Sequence, residues 1–124
     1  MPSPGAGAET RALVDPVVVD RDEAEAYARW FQTLSDPTRI VILSYLSHRD
    51  GPVRVSTIVD DLGISQSTVS HHLRLLHDAG FVTRERSRTS RLYAVNRSFV
   101  TNFSAAAEVV MGRRRTSQDT DGAS

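Results

Sequence analysis

At 124 residues the chain is long enough for one domain with a modest core and too short for two of ordinary size. Its 40% hydrophobic and 24% charged residues fit a soluble globular protein, no apolar run reaches the eighteen or so residues of a membrane span, and the absence of cysteine excludes disulfides and thiolate metal sites. The formal charge is zero, yet residues 1–36 hold three arginines against seven acids, whereas residues 65–97 hold six arginines against two. A neutral chain thus carries a basic segment, so a polyanionic partner stays open. The exclusive use of arginine over lysine is better explained by a GC-rich genome than by phosphate recognition. No basic-then-apolar leader opens the chain, and the expected location is cytoplasmic, without a membrane partner.

Residues 1–19, with three of the five prolines and no sustained period, read as a flexible N-terminal arm. From Asp20 to Leu34, Ala24, Tyr27, Ala28, Phe31 and Leu34 recur at helical spacing behind a run of acids that suits a helix N-terminus. Asp36 and Pro37 form a cap and first position for a second helix to about Ser47, with Ile40, Val41, Leu43, Ser44 and Leu46 expected inside. After Asp50 and Gly51, a short extended piece at Pro52 to Val55 leads to Ser56. That serine is expected to cap a small helix with Ile58, Val59 and Leu62 inward, stopped by Gly63. Ser65 caps the next helix, Gln66 to Ala79, with Val69, Leu73 and Leu76 inward and Gly80 at its end. Two helices joined by about three residues containing glycine form a helix-turn-helix pattern. Strands at Phe81–Arg86 and Arg91–Val95 flank a four-residue tip, Ser87 to Ser90, and a last helix runs from about Ser98 to Met111. Residues 113–124 read as a disordered tail, and its arginine run 113–115 as a charged helix end.

This order predicts a mainly α protein with a two-stranded β-hairpin wing, a winged helix-turn-helix, spanning 20–112. Leu34-Ser35-Asp36-Pro37-Thr38-Arg39 and Ser65-Gln66-Ser67-Thr68-Val69-Ser70-His71-His72-Leu73 make it resemble the ArsR/SmtB (arsenic-repressor-like) transcriptional regulators over about residues 24–111. The resemblance implies a homodimeric DNA-binding repressor. Its recognition helix would enter the major groove, its wing would reach the flanking backbone or minor groove, and its first and last helices would form the dimer interface.

The residues agree with that expectation. A helix that buries Val69, Leu73 and Leu76 leaves Ser65, Gln66, Ser67, Thr68, Ser70, His71 and Arg74 as candidates for contact with double-stranded DNA. Glutamine can bond adenine bidentately, while serine and histidine can reach bases or phosphates. Arg84, Arg86, Arg88 and Arg91 crowd the hairpin, where they are candidates for phosphate neutralisation or minor-groove entry. Seven apolar positions on the last helix exceed what the first helix alone covers, pointing to a second copy of the chain.

The resemblance also says which signals to doubt. Soft-metal members carry a Cys-x-Cys pair where this chain has Arg54, Val55 and Ser56, and members that bind metal on the last helix carry acids and histidines where it has Asn96, Ser98, Val109 and Gly112. No cofactor is expected. Weak nickel or zinc binding through His48, His72 or His77 stays an alternative, as do an unknown effector and a winged-helix module that binds another protein. Asp60 and Asp61 lack any companion nucleophile or phosphate loop, and no catalytic motif occurs, so the chain is not expected to be an enzyme.

Overall fold

A computed structural model describes residues 18–112; the rest of the expected arm and the whole expected tail lie outside the described residues. Within them run α1 (Arg21–Thr33), α2 (Pro37–Ser47), β1 (Val53–Arg54), α3 (Val55–Leu62), α4 (Gln66–Ala79), β2 (Val82–Ser87), β3 (Ser90–Val95) and α5 (Arg97–Val110). The helix starts follow from side chains that satisfy orphan amides. Asp20 and Glu23 form a reciprocal capping box on α1, with the Glu23 amide donating to Asp20 at 2.8 Å. Asp36 accepts from the amides of Thr38 (2.8 Å) and Arg39 (3.2 Å), with Pro37 at the first helical position. Asn96 does two jobs: its Oδ1 accepts from the Phe99 amide, and its Nδ2 donates to the Gly80 carbonyl at 3.1 Å, which ties the start of α5 to the end of α4.

The expected hairpin wing is present, and β1 adds a strand to make an antiparallel sheet of order β1-β3-β2, because Val53 and Arg54 pair with Tyr93 and Leu92. Other expectations need correction. The wing tip is two residues, Arg88 and Thr89, since Ser87 and Ser90 complete the ladder. Ser56 does not cap α3: the helix already begins at Val55, with Arg54 at the cap position and no side-chain cap bond. On α2 the buried face is Ile42 and Leu46, whereas Ile40 (50% exposed), Val41 (47%) and Ser44 face outward. An all-apolar run has no polar residue to fix its phase, so the partner surfaces decide which side turns inward.

The core joins Ile42, Leu46, Val53, Ile58, Val69, Leu73, Leu76, Phe81, Val82 and Tyr93. Phe81, fully buried, meets Phe99 (ring centroids 4.8 Å) and Phe103 (5.3 Å) edge-on, and Trp30 meets Phe99 at 5.0 Å. Trp30, which falls outside the apolar spacing expected for α1, is therefore that helix's main aromatic contact to α5. Gly80, at φ +101°, ends α4 immediately before Phe81, and a Cβ there would stand 3.0 Å from the Phe99 ring.

A polar cluster joins α2 to α3. The Tyr45 hydroxyl and the Arg49 guanidinium both donate to the Asp61 carboxylate. The Tyr45 bond, aided by Arg49 against partial desolvation, holds the Asp61 carboxyl below the ordinary range, while burial and the bond to Asp61 raise the tyrosine. Asp36 is also lowered: desolvation pushes it up, but the Arg39 and Thr38 amides and the nearby Arg39 charge outweigh that. A carboxyl lowered by folding stabilises fully above its ordinary pKa, and that share is lost as the pH falls toward the folded value. Asp61→Asn should thus be less stable than the parent at pH 7, with a gap that narrows as thermal melts are taken down to pH 3. A gap constant over that range would contradict the assignment.

Candidate nucleic-acid interface

The turn from α3 to α4 is built by Gly63, whose φ of +68° suits glycine, followed by Ile64 and the cap residue Ser65. Ser65 accepts from the Thr68 amide at 3.3 Å and its hydroxyl donates to the Thr68 hydroxyl at 2.9 Å, so these two side chains serve the helix start. Beyond them, Gln66, Ser67, Ser70, His71 and Arg74 fall within an arc of about 140° at 100° per residue. All are exposed except Ser70, which is half-buried, and Val69, Leu73 and Leu76 occupy the opposite side.

A third side of α4 is held by Arg39, a residue whose sequence context marks it only as part of the family pattern. Its Nε donates to the Thr33 carbonyl at 2.6 Å and its Nη1 lies 3.3 Å from Nδ1 of His72, so one guanidinium spans α1, α2 and α4. Guanidinium is always a donor, which makes Nδ1 the acceptor and places the neutral imidazole's proton on Nε2. The His72 ring meets the His71 ring edge-on at 5.2 Å, and His71 Nδ1 lies 3.5 Å from Arg74. The clamp therefore continues into the exposed arc. A long-range bond between side chains 33 positions apart leaves no spacing signal in a sequence.

On the hairpin, residues directly opposite each other share a face. Val82, Arg84 and Arg86 pair with Val95, Tyr93 and Arg91, so three of the arginines extend the face that begins in the core at Val82 and Tyr93. Glu85, the hairpin's only acid, pairs with Leu92 on the other face. Arg88 sits at the tip with φ +57°, a left-handed conformation that side chains adopt at a cost. Among the described residues, Arg54, Arg74, Arg84, Arg86, Arg88 and Arg91 make no ion pair with an acid. A cleft of about 360 Å³ lies between the tip, the start of α3 and the start of α4.

The candidate metal residues are scattered. His48 is exposed and bonds the Ser44 carbonyl at 2.8 Å, His72 is engaged by Arg39, and His77 is half-buried beside Asp78 at 3.4 Å. Among the described residues no three His, Asp or Glu side chains lie together in a way that could hold a metal ion, and no helix is long and apolar enough to cross a membrane.

A helix-turn-helix followed by a short sheet whose hairpin projects beyond the core defines the winged helix-turn-helix class. The model of the bacterial regulatory protein, arsR family, matches residues 36–84. The HTH-type transcriptional regulator NmtR of Mycobacterium tuberculosis is 36% identical over 77 residues, which are 62% of this chain and 62% of NmtR, so the match spans under two thirds of that protein. An uncharacterized HTH-type transcriptional regulator of Methanocaldococcus jannaschii is 36% identical over 60% of this chain and 82% of its own length. Among solved structures, the homodimeric winged helix-turn-helix DNA-binding domain of a Mycobacterium bovis protein superposes with a TM-score of 0.59 at 28% identity, covering 75% of this chain and 86% of that one. This chain belongs to the ArsR family. Its described residues form a winged helix-turn-helix like those of the DNA-binding transcriptional regulators it matches.

The Arg39 clamp can be read without DNA. In the parent, long-range ¹H–¹⁵N spectra should show His72 as the Nε2–H tautomer at neutral pH, and Arg39→Ala should release it to a mixture while lowering the melting temperature. An unaltered tautomer balance would show that the guanidinium does not hold the ring.

Proposed function

We propose that the protein is a repressor that binds an inverted-repeat operator as a homodimer, reading bases with Gln66, Ser67, Ser70 and His71 and phosphates with Arg74, Arg84, Arg86, Arg88 and Arg91. The observation that carries this reading is the placement of charge on the wing. Arg86 and Arg91 stand directly opposite each other on one face, without an acid, next to the exposed arc of α4. Like charges in that position destabilise a hairpin, and a polyanion relieves the repulsion. The left-handed Arg88 points the same way, because strain in a surface turn that glycine would remove is retained where the side chain itself is needed.

Two copies are favoured by exposed apolar side chains at the ends of the first and last helices. Phe31 (38% exposed), Val110 (45%) and Met111 (81%) would be covered by a partner, and the Mycobacterium bovis neighbour is a homodimer. A two-fold dimer presents two copies of α4, suited to half-sites about 34 Å apart on one side of the duplex.

Selection of bound sequences from a random duplex pool should enrich a palindrome with half-sites about one helical turn apart. Gln66→Ala and His71→Ala should each weaken binding by about 1–3 kcal/mol and relax preference at one base position. A pool without an enriched palindrome would sink the operator reading. Arg88→Gly separates strain from recognition: calorimetry should find the free variant at least as stable as the parent, with weaker duplex affinity at 150 mM salt. A clearly less stable variant would show that the turn stores no strain.

A further inference from the structure

The cleft at the base of the wing tip sets Arg54, Ser56 and Thr89, which the DNA reading leaves unused, beside Gln66, Ser70 and Arg91, which it uses. Arg54 and Arg91 both line it, with hydroxyl or amide groups from Ser56, Gln66, Ser70 and Thr89, and no acidic side chain lines it. Arg54 is exposed and, like Arg91, has no acid partner among the described residues. Two uncompensated guanidiniums on one concave surface repel each other and raise the local positive potential. The volume, about 360 Å³, exceeds that of a phosphate group and leaves room for bridging waters. The first turn of α3 adds to this, since Arg54 occupies its cap position without capping it, so the amides beginning at Val55 have no side-chain acceptor.

We infer that this cleft is a phosphate seat in which Arg54 and Arg91 engage one phosphate from two sides, making Arg54 a binding residue of the protein. The inference rests on the DNA reading only for the source of the phosphate. A duplex backbone running between α4 and the wing would supply it as a phosphodiester, and a free phosphate would supply the same oxygens. Guanidinium matches such oxygens bidentately, and serine and threonine hydroxyls complete the ring of donors.

The full chain serves for the test. Duplex affinity is measured against salt for the parent, Arg54→Ala, Arg54→Lys, Arg91→Ala and the Arg54→Ala/Arg91→Ala pair. Circular dichroism melts verify folding. Separately, amide spectra of the free protein are recorded with inorganic phosphate or chloride at equal ionic strength. A backbone phosphate predicts that the Arg54→Ala/Arg91→Ala pair lowers the salt slope by about 0.9, one phosphate, and by more than Arg91→Ala does, with Arg54→Lys retaining the parent slope. The double variant should lose more than the sum of the two singles, because either guanidinium alone still neutralises the one phosphate they share. An unchanged slope accompanied by phosphate-dependent shifts at the amides of Val55, Ser56 and Thr57 would support the seat and assign it to a free phosphate. Those shifts in a protein that binds no duplex would overturn the DNA reading while supporting the seat. An unchanged slope without shifts overturns the inference.

Discussion

The burial of Phe81 is the contact on which the rest of the structure depends. It lies at the single joint between the recognition helix and the wing: its amide donates to the Leu76 carbonyl, and its carbonyl accepts from the Asn96 amide. Its ring touches Phe99 and Phe103 of α5, and Phe99 in turn carries Trp30 of α1. Transfer of such a side chain out of water is worth about 1.5–3 kcal/mol, and truncating it costs about 3–5 kcal/mol once the cavity is included. Both are large fractions of a domain's net stability of about 5–15 kcal/mol. One side chain therefore fixes the reading helix, the wing and the outer helices together.

Charge is distributed against that frame so that neutrality overall conceals polarity locally. The acids Asp20, Asp36 and Asp61 are engaged in caps and in the Tyr45–Arg49 cluster. The arginines of α4 and the hairpin are left without acids among the described residues. Solvated guanidiniums cost little on a surface, but opposed across a ladder they disfavour the free protein slightly and favour a polyanion complex. On the proposed operator reading, counterion release from the duplex would supply much of the affinity, with base edges supplying the discrimination.

Arg39 ties three helices together through one side chain. By bonding the last turn of α1 and the inner side of α4, it links a helix with exposed apolar surface to the helix that carries the exposed polar arc. Beyond it the rings of His72 and His71 meet edge-on.

The sequence by itself determined the element order, the caps at Asp36 and Ser65, the glycine turns at Gly63 and Gly80, and the family. Each is local: a cap, a positive φ or a run of apolar spacing is decided by residues within a turn or two. The same locality made Gln66, Ser67, Ser70, His71 and Arg74 legible as one exposed arc. Only the tertiary structure decided the phase of α2, where Ile42 rather than Ile40 and Val41 is buried, because an apolar run carries no polar marker of its outer side. The addition of β1 to the wing, the two-residue tip at Arg88, the Arg39–His72 clamp and the meeting of Arg54 with Arg91 around one cleft are likewise tertiary. All but the tip join residues far apart in the chain, and the free energy that selects such contacts comes from packing and charge in three dimensions, which no spacing along the sequence encodes.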